Sequence, residues 1–204
     1  PFRFPWLSSR GANRRCHPEA PTTVVILSAA KDLVLIPIAQ VIILFRRRTV
    51  QQAMTKILIV YHSQTGHTEK MAEAVFEGAS SIEGVEVVMK RAAAATAEDL
   101  LWADGIAIGS PENFGYLSGM IKDFFDRTFY AVENKVFRKP YVVFISAGND
   151  GTGALLAIER IALGYKFKKV YEPVIARGDI KPDDLEKCRE LGGVLSGGCR
   201  MGIY

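Results

Sequence analysis

From Met54 onward the chain switches repeatedly between two hydrophobic periods. Ile57-Leu58-Ile59-Val60-Tyr61 is a continuous apolar, β-rich run, as expected of a strand buried on both faces of a parallel sheet. Beyond Thr68 the spacing turns helical, with Met71 and Val75 on one face and Ala72, Phe76 and Ala79 on another. Val85–Lys90 reads as a second strand, Thr96–Trp102 as a short helix and Asp104–Gly109 as a third strand. Ser118–Glu133 is the clearest helix, because Ile121, Phe124, Phe125, Thr128, Phe129 and Val132 recur at three- and four-residue steps. Tyr141–Ile145 is wholly apolar and reads as a central strand. Thr152–Leu163 is a helix stopped by Gly164, and Lys169–Ala176 a fifth strand. Pro182–Leu195 closes the pattern as a helix with Pro182, Asp183 and Asp184 in its first turn, where helix geometry and dipole favour them. Five strands alternating with about five helices predict an α/β fold: a doubly wound parallel sheet between two helical layers.

The first 53 residues do not share this pattern. An aperiodic stretch rich in Pro and Arg precedes an apolar run, Val24–Phe45, and then Arg46-Arg47-Arg48. The uninterrupted apolar part, Leu33–Phe45, falls short of the ~20 residues a spanning helix needs. Extending it back to Val24 takes in Lys31 and Asp32, each costing roughly 2.5–3.5 kcal/mol at mid-membrane. Three readings compete: a weak membrane anchor over residues 24–45, an extra element packed on the domain, or upstream sequence read through in frame. The third is the expectation, because Met54 directly precedes the first core strand and the composition changes there. Residues 1–53 are therefore expected to be disordered or not native, and the domain is expected to span 54–204.

Charge adds one exclusion. The chain carries a formal +4, but residues 1–53 hold eight of the 26 Lys/Arg and two of the 22 Asp/Glu. The remainder is near −2, so no nucleic-acid partner is expected. Cys16, Cys188 and Cys199 form no CxxC and no Cys/His cluster, so no metal or disulfide framework is expected, and the reduced thiols suit a cytoplasmic protein.

Candidate chemistry sits where strands end. Ser63-Gln64-Thr65-Gly66-His67-Thr68 follows the first strand and opens a helix. The first N–H groups of a helix lack partners and its dipole is positive there, so such a turn can hold a phosphate without Lys or Arg. The third strand leads into Ser110-Pro111-Glu112-Asn113-Phe114-Gly115-Tyr116, two aromatics beside a glycine. The fourth leads into Ser146-Ala147-Gly148-Asn149-Asp150-Gly151, small and rich in backbone donors. A phosphate cradle, an aromatic surface and a set of amide donors match flavin mononucleotide (FMN). No residue stands out as a catalytic acid or nucleophile, which suits chemistry carried by a cofactor.

Ser-x-Thr-Gly-x-Thr after the first strand resembles the phosphate loop of the flavodoxin-like superfamily. SPENFGYLSGMIKDFFDR resembles a stretch shared by its reductases, and the resemblance covers about Thr55–Ser196. It implies the flavodoxin-like three-layer fold, a five-stranded parallel sheet in order 2-1-3-4-5, for which flavodoxin is the standard example. It implies that Ser63, Thr65, Gly66, His67 and Thr68 bind the FMN phosphate. Pro111, Glu112, Asn113, Phe114 and Gly115 would border the ring, and Ser146, Ala147, Gly148 and Asn149 would close its other side. Two roles follow from the resemblance. One is an NAD(P)H-dependent reductase of a small acceptor, with its site often built at a subunit interface and hence a homo-oligomer. The other is an electron carrier that docks a redox protein. A carrier needs a strongly acidic face, so a core near −2 points to the reductase. The quinone-reducing subgroup carries His-Gly-Gly after the fourth strand, whereas Gly148–Gly153 here has no histidine, so quinone is not the acceptor expected.

Overall fold

The structure, a computed structural model, describes residues 23–27, 33–37 and 54–204. The chain divides into two compact units, Pro1–Gln52 and Ala53–Tyr204. In the first, β1 (Thr23–Leu27) and β2 (Leu33–Pro37) pair antiparallel, with Val25 opposite Leu35. The expectations of disorder and of a membrane anchor otherwise fall on residues outside those described. Among the described residues, no helix is long and apolar enough to cross a membrane.

The second unit runs β3 (Thr55–Tyr61), α1 (His67–Ser80), β4 (Val85–Arg91), α2 (Ala97–Trp102) and β5 (Gly105–Asn113). It continues with β6 (Tyr116–Leu117), α3 (Gly119–Val132), β7 (Pro140–Ala147) and α4 (Thr152–Gly164), then β8 (Lys168–Lys169), β9 (Val174–Arg177) and α5 (Pro182–Met201). The parallel strands lie in the order β4-β3-β5-β7, with β8 and then β9 beside β7. With β8 and β9 taken as one interrupted strand, this is the expected order 2-1-3-4-5.

Period-two burial divides the core between two faces. Leu58, Val60, Ile106, Ile108, Val143 and Ile145 face α2, α3 and α4, while Ile57, Ile59, Ala107, Val142 and Phe144 face α1 and α5. On α3 the predicted stripe is buried at Ile121, Phe124, Phe125, Thr128 and Val132. At roughly 1.5–3 kcal/mol for each large apolar side chain removed from water, this stripe outweighs any intrinsic helix preference. Local signals start the helices. Thr96 and Asp99 form a capping box at α2, and Ser118 accepts from the Ile121 N–H at α3.

Three local readings change. The fifth strand is interrupted, since the chain leaves β7 after Val170 and rejoins it at Val174. Pro173 has no N–H to donate to a ladder. The last helix runs on to Met201, past its expected end at Leu195. Glycines within α1 and α5 are packing devices: a Cβ at Gly192 would sit 2.1 Å from the Val75 carbonyl oxygen, and one at Gly78 would sit 1.9 Å from that of Arg189. Close approach of α1 and α5 thus overrides the propensity cost. Phe76, placed by periodicity on an apolar face, is exposed.

Candidate functional site

The carboxyl ends of β3, β5 and β7 form one rim, where a cleft of about 280 Å³ opens. Gln64, Thr65, His67 and Thr68 line it from the first loop, Pro111, Glu112 and Asn113 from the second, and Ser146, Ala147 and Gly148 from the third. Gly178 and Asp179, just past β9, complete the wall. That volume is near the lower end of the roughly 300–1,000 Å³ of small-molecule sites. No Lys or Arg lines it.

The first loop is fixed from inside. Gly66, at φ 88°, is the N-cap of α1, and no side chain caps the helix start. Only glycine takes this left-handed conformation without strain. The Ser63 hydroxyl accepts from the Gly66 N–H at 3.1 Å. Thr68 Oγ1 lies 2.8 Å from Ser146 Oγ with both residues buried, which joins the first turn of α1 to the end of β7. Two of the expected phosphate ligands, Ser63 and Thr68, thus also brace the frame through their hydroxyls. Thr65 and His67 line the cleft with their side chains less engaged, and His67 is the first residue of α1.

The second loop is a hairpin. β5 runs on to Asn113, turns through Phe114 and Gly115, and returns as β6 with Asn113 opposite Tyr116. Phe114 at φ 53° and Gly115 at φ 71° are consecutive left-handed residues, the pattern of a type I′ turn. Phenylalanine is a strained choice there, and its ring is fully exposed at the tip. Ser110 ties the base by accepting from the Ser118 N–H. Glu112 was expected beside the ring. It lines the cleft, and its carboxylate also accepts from the N–H groups of Gly151, Gly153 and Ala154 and so anchors the start of α4.

The third loop bends through Gly148, Asn149 and Asp150 into Gly151, again left-handed at φ 77°. Asp150 accepts from the Thr152 hydroxyl and, at 3.2 Å, from the Thr152 N–H. Those two bonds hold its carboxyl below the usual range, with help from the charge of Arg177. A Cβ at Gly153 would meet the Gly115 carbonyl oxygen at 1.9 Å, so the hairpin tip rests on the α4 backbone. Ser63, Gly66, Phe114, Gly115 and Asn149 are not among the residues that line the cleft. Gln64, Gly178 and Asp179 were missed by the sequence reading. The fifth strand's exit loop had to share this rim, and Gly178, bonded to the Ala147 carbonyl at 2.8 Å, was the available signal.

The sequence profile of the family described as Flavodoxin matches residues 59–192. The chain is 39% identical over 159 residues to a flavodoxin of Aquifex aeolicus (strain VF5), covering 70% of this chain and 86% of that protein. A flavodoxin structure from the domain Archaea superposes with a TM-score of 0.65 at 24% identity, over 72% of this chain and 99% of the other. A flavodoxin, WrbA-like protein from Agrobacterium tumefaciens superposes at 0.60 with 25% identity, over 72% and 98%.

Proposed function

This chain belongs to the flavodoxin family, and on that premise we propose that it is an electron carrier holding FMN in the rim cleft. One observation carries the reading: three loops separated in sequence converge on one cleft whose phosphate end is built from a bare helix N-terminus and hydroxyls rather than cations. The donor set fits FMN. The N–H groups at the start of α1 and the Thr65 hydroxyl would take the phosphate. Asn113 to Gly115 would border one side of the ring, and Ser146 to Asn149 the other. Phe114 and Tyr116, both exposed, stand at the hairpin as stacking surfaces. Bound FMN supplies the redox chemistry; the protein sets its affinity and potential.

The carrier role is favoured over the reductase because the Aquifex relative is a flavodoxin by name. The near-neutral core keeps the NAD(P)H-dependent reductase as the second reading.

The full chain reconstituted with FMN and exposed to NADH or NADPH without oxygen separates them. A carrier keeps its oxidised spectrum until a partner reductase is added, whereas a reductase bleaches with nucleotide alone. A protein that takes up no FMN overturns both. Thr65→Val probes the phosphate end: we expect FMN binding to weaken about tenfold while the urea midpoint stays put, and equal losses would count against the assignment. Gly66→Val is a poorer probe, because its φ strains any side chain whether or not ligand binds.

A further inference from the structure

The acidic residue in the first turn of α1 is out of place for a phosphate site. Glu69 lies three residues past Gly66, on the helix whose N-terminus faces the cleft. A carboxylate there is favoured by the helix dipole in an empty site, but it would oppose a phosphate dianion. Its neighbours answer this. Arg91, the last residue of β4, donates from Nη2 to Glu69 Oε1 at 2.5 Å, and the Tyr61 hydroxyl donates to the same oxygen at 2.9 Å. The guanidinium stands over the Tyr61 ring, 5.5 Å from its centroid. Arg91 also donates from Nη1 to the Ser63 carbonyl at 3.3 Å. Ser63 is the hinge of the loop, since its hydroxyl holds the Gly66 N–H. A trans peptide is planar, so fixing the Ser63 carbonyl also fixes the opposed Gln64 N–H, and Gln64 lines the cleft. Arg91 itself is absent from the lining and is half-exposed behind it.

Resting on the FMN reading above, we infer that Arg91 is a positioning residue that makes the site select a phosphorylated flavin over an unphosphorylated one. It neutralises Glu69 and sets the phosphate loop through Ser63 without touching the ligand. Its positive charge reaches the loop's other flank too, because it adds to burial in holding His62 below the ordinary histidine range.

Titration of the full-length apoprotein with FMN and with riboflavin, read by flavin fluorescence quenching, tests this. In Arg91→Gln, FMN affinity is expected to fall about tenfold and riboflavin affinity to stay within about twofold of wild type. Inorganic phosphate as a competitor of FMN reads the same contact separately and should compete about tenfold less well in the variant. An equal fall for both flavins, or unchanged competition by phosphate, overturns the inference. Glu69→Gln keeps the cation and removes its carboxylate partner, so FMN should bind at least as tightly as in wild type. A loss matching that of Arg91→Gln would make the ion pair merely structural and overturn the inference as well. Wild-type protein that binds neither flavin refutes the FMN reading itself, so the two failures are distinct.

Discussion

The two ends of the cleft are held in opposite ways. At the first loop one fastening is buried, Thr68 on Ser146, two are partly buried, Ser63 on Gly66 and Arg91 on Ser63, and the left-handed conformation is confined to a glycine. At the hairpin the tip is exposed, a phenylalanine stands in a left-handed conformation, and support comes from one carboxylate and one backbone contact on α4. The first arrangement suits a group of fixed shape and charge, bound by the backbone. The second suits a flat ring whose border can adjust, because strain in a loosely packed turn is released by small movements. Rigidity has gone to the phosphate end and adaptability to the ring end.

The contrast can be broken most severely at Gly153. A side chain in Gly153→Val cannot coexist with the Gly115 carbonyl, so the hairpin must leave α4. Overpacking of this kind costs about 1–3 kcal/mol, and we expect the upper end together with loss of FMN binding. Urea unfolding and flavin titration measure both, and an unaltered protein would mean that the hairpin is not seated on the helix. Thr68→Val attacks the buried end by leaving Ser146 Oγ without its partner, at about 2 kcal/mol. Adding Ser146→Ala should return part of that loss, and strictly additive effects would deny the coupling. Glu112→Gln removes the carboxylate that serves three N–H groups of α4, for about 1 kcal/mol; an unshifted urea midpoint would show that solvent replaces it. The smallest effect has the opposite sign. Phe114→Asn puts a residue that tolerates the left-handed region at the tip. It should raise stability by about 0.5 kcal/mol while weakening flavin binding, and a drop in melting temperature would show that the turn is not strained.

Much of this was legible beforehand. Helices α1 and α3 and strands β3 and β7 follow from apolar spacing, because burial on one or both faces imposes period 3.6 or a continuous run, whereas the strand order came from the family resemblance. The phosphate loop was legible for a related reason: a strand, a hydroxyl-rich turn with one glycine and a helix form a local unit whose unpaired N–H groups face outward whatever the rest of the chain does.

What only the folded chain decided is how distant residues divide the work. Glu112 sits among candidate ring contacts in sequence, yet its carboxylate belongs to a helix about forty residues on. Thr68 reads as a phosphate ligand, but its hydroxyl meets Ser146 across the sheet. Arg91 ends an edge strand, and only the pairing of β4 with β3 brings its guanidinium to Ser63 and Glu69. Gly192 lies inside a helix the sequence predicts, and only the fold shows that it is a contact between two helices. Periodicity records which side of an element is buried; it does not record which group on another element lies opposite. Local pattern therefore determined the elements and pointed to a candidate anion site, and strand pairing and helix packing determined which polar groups surround it.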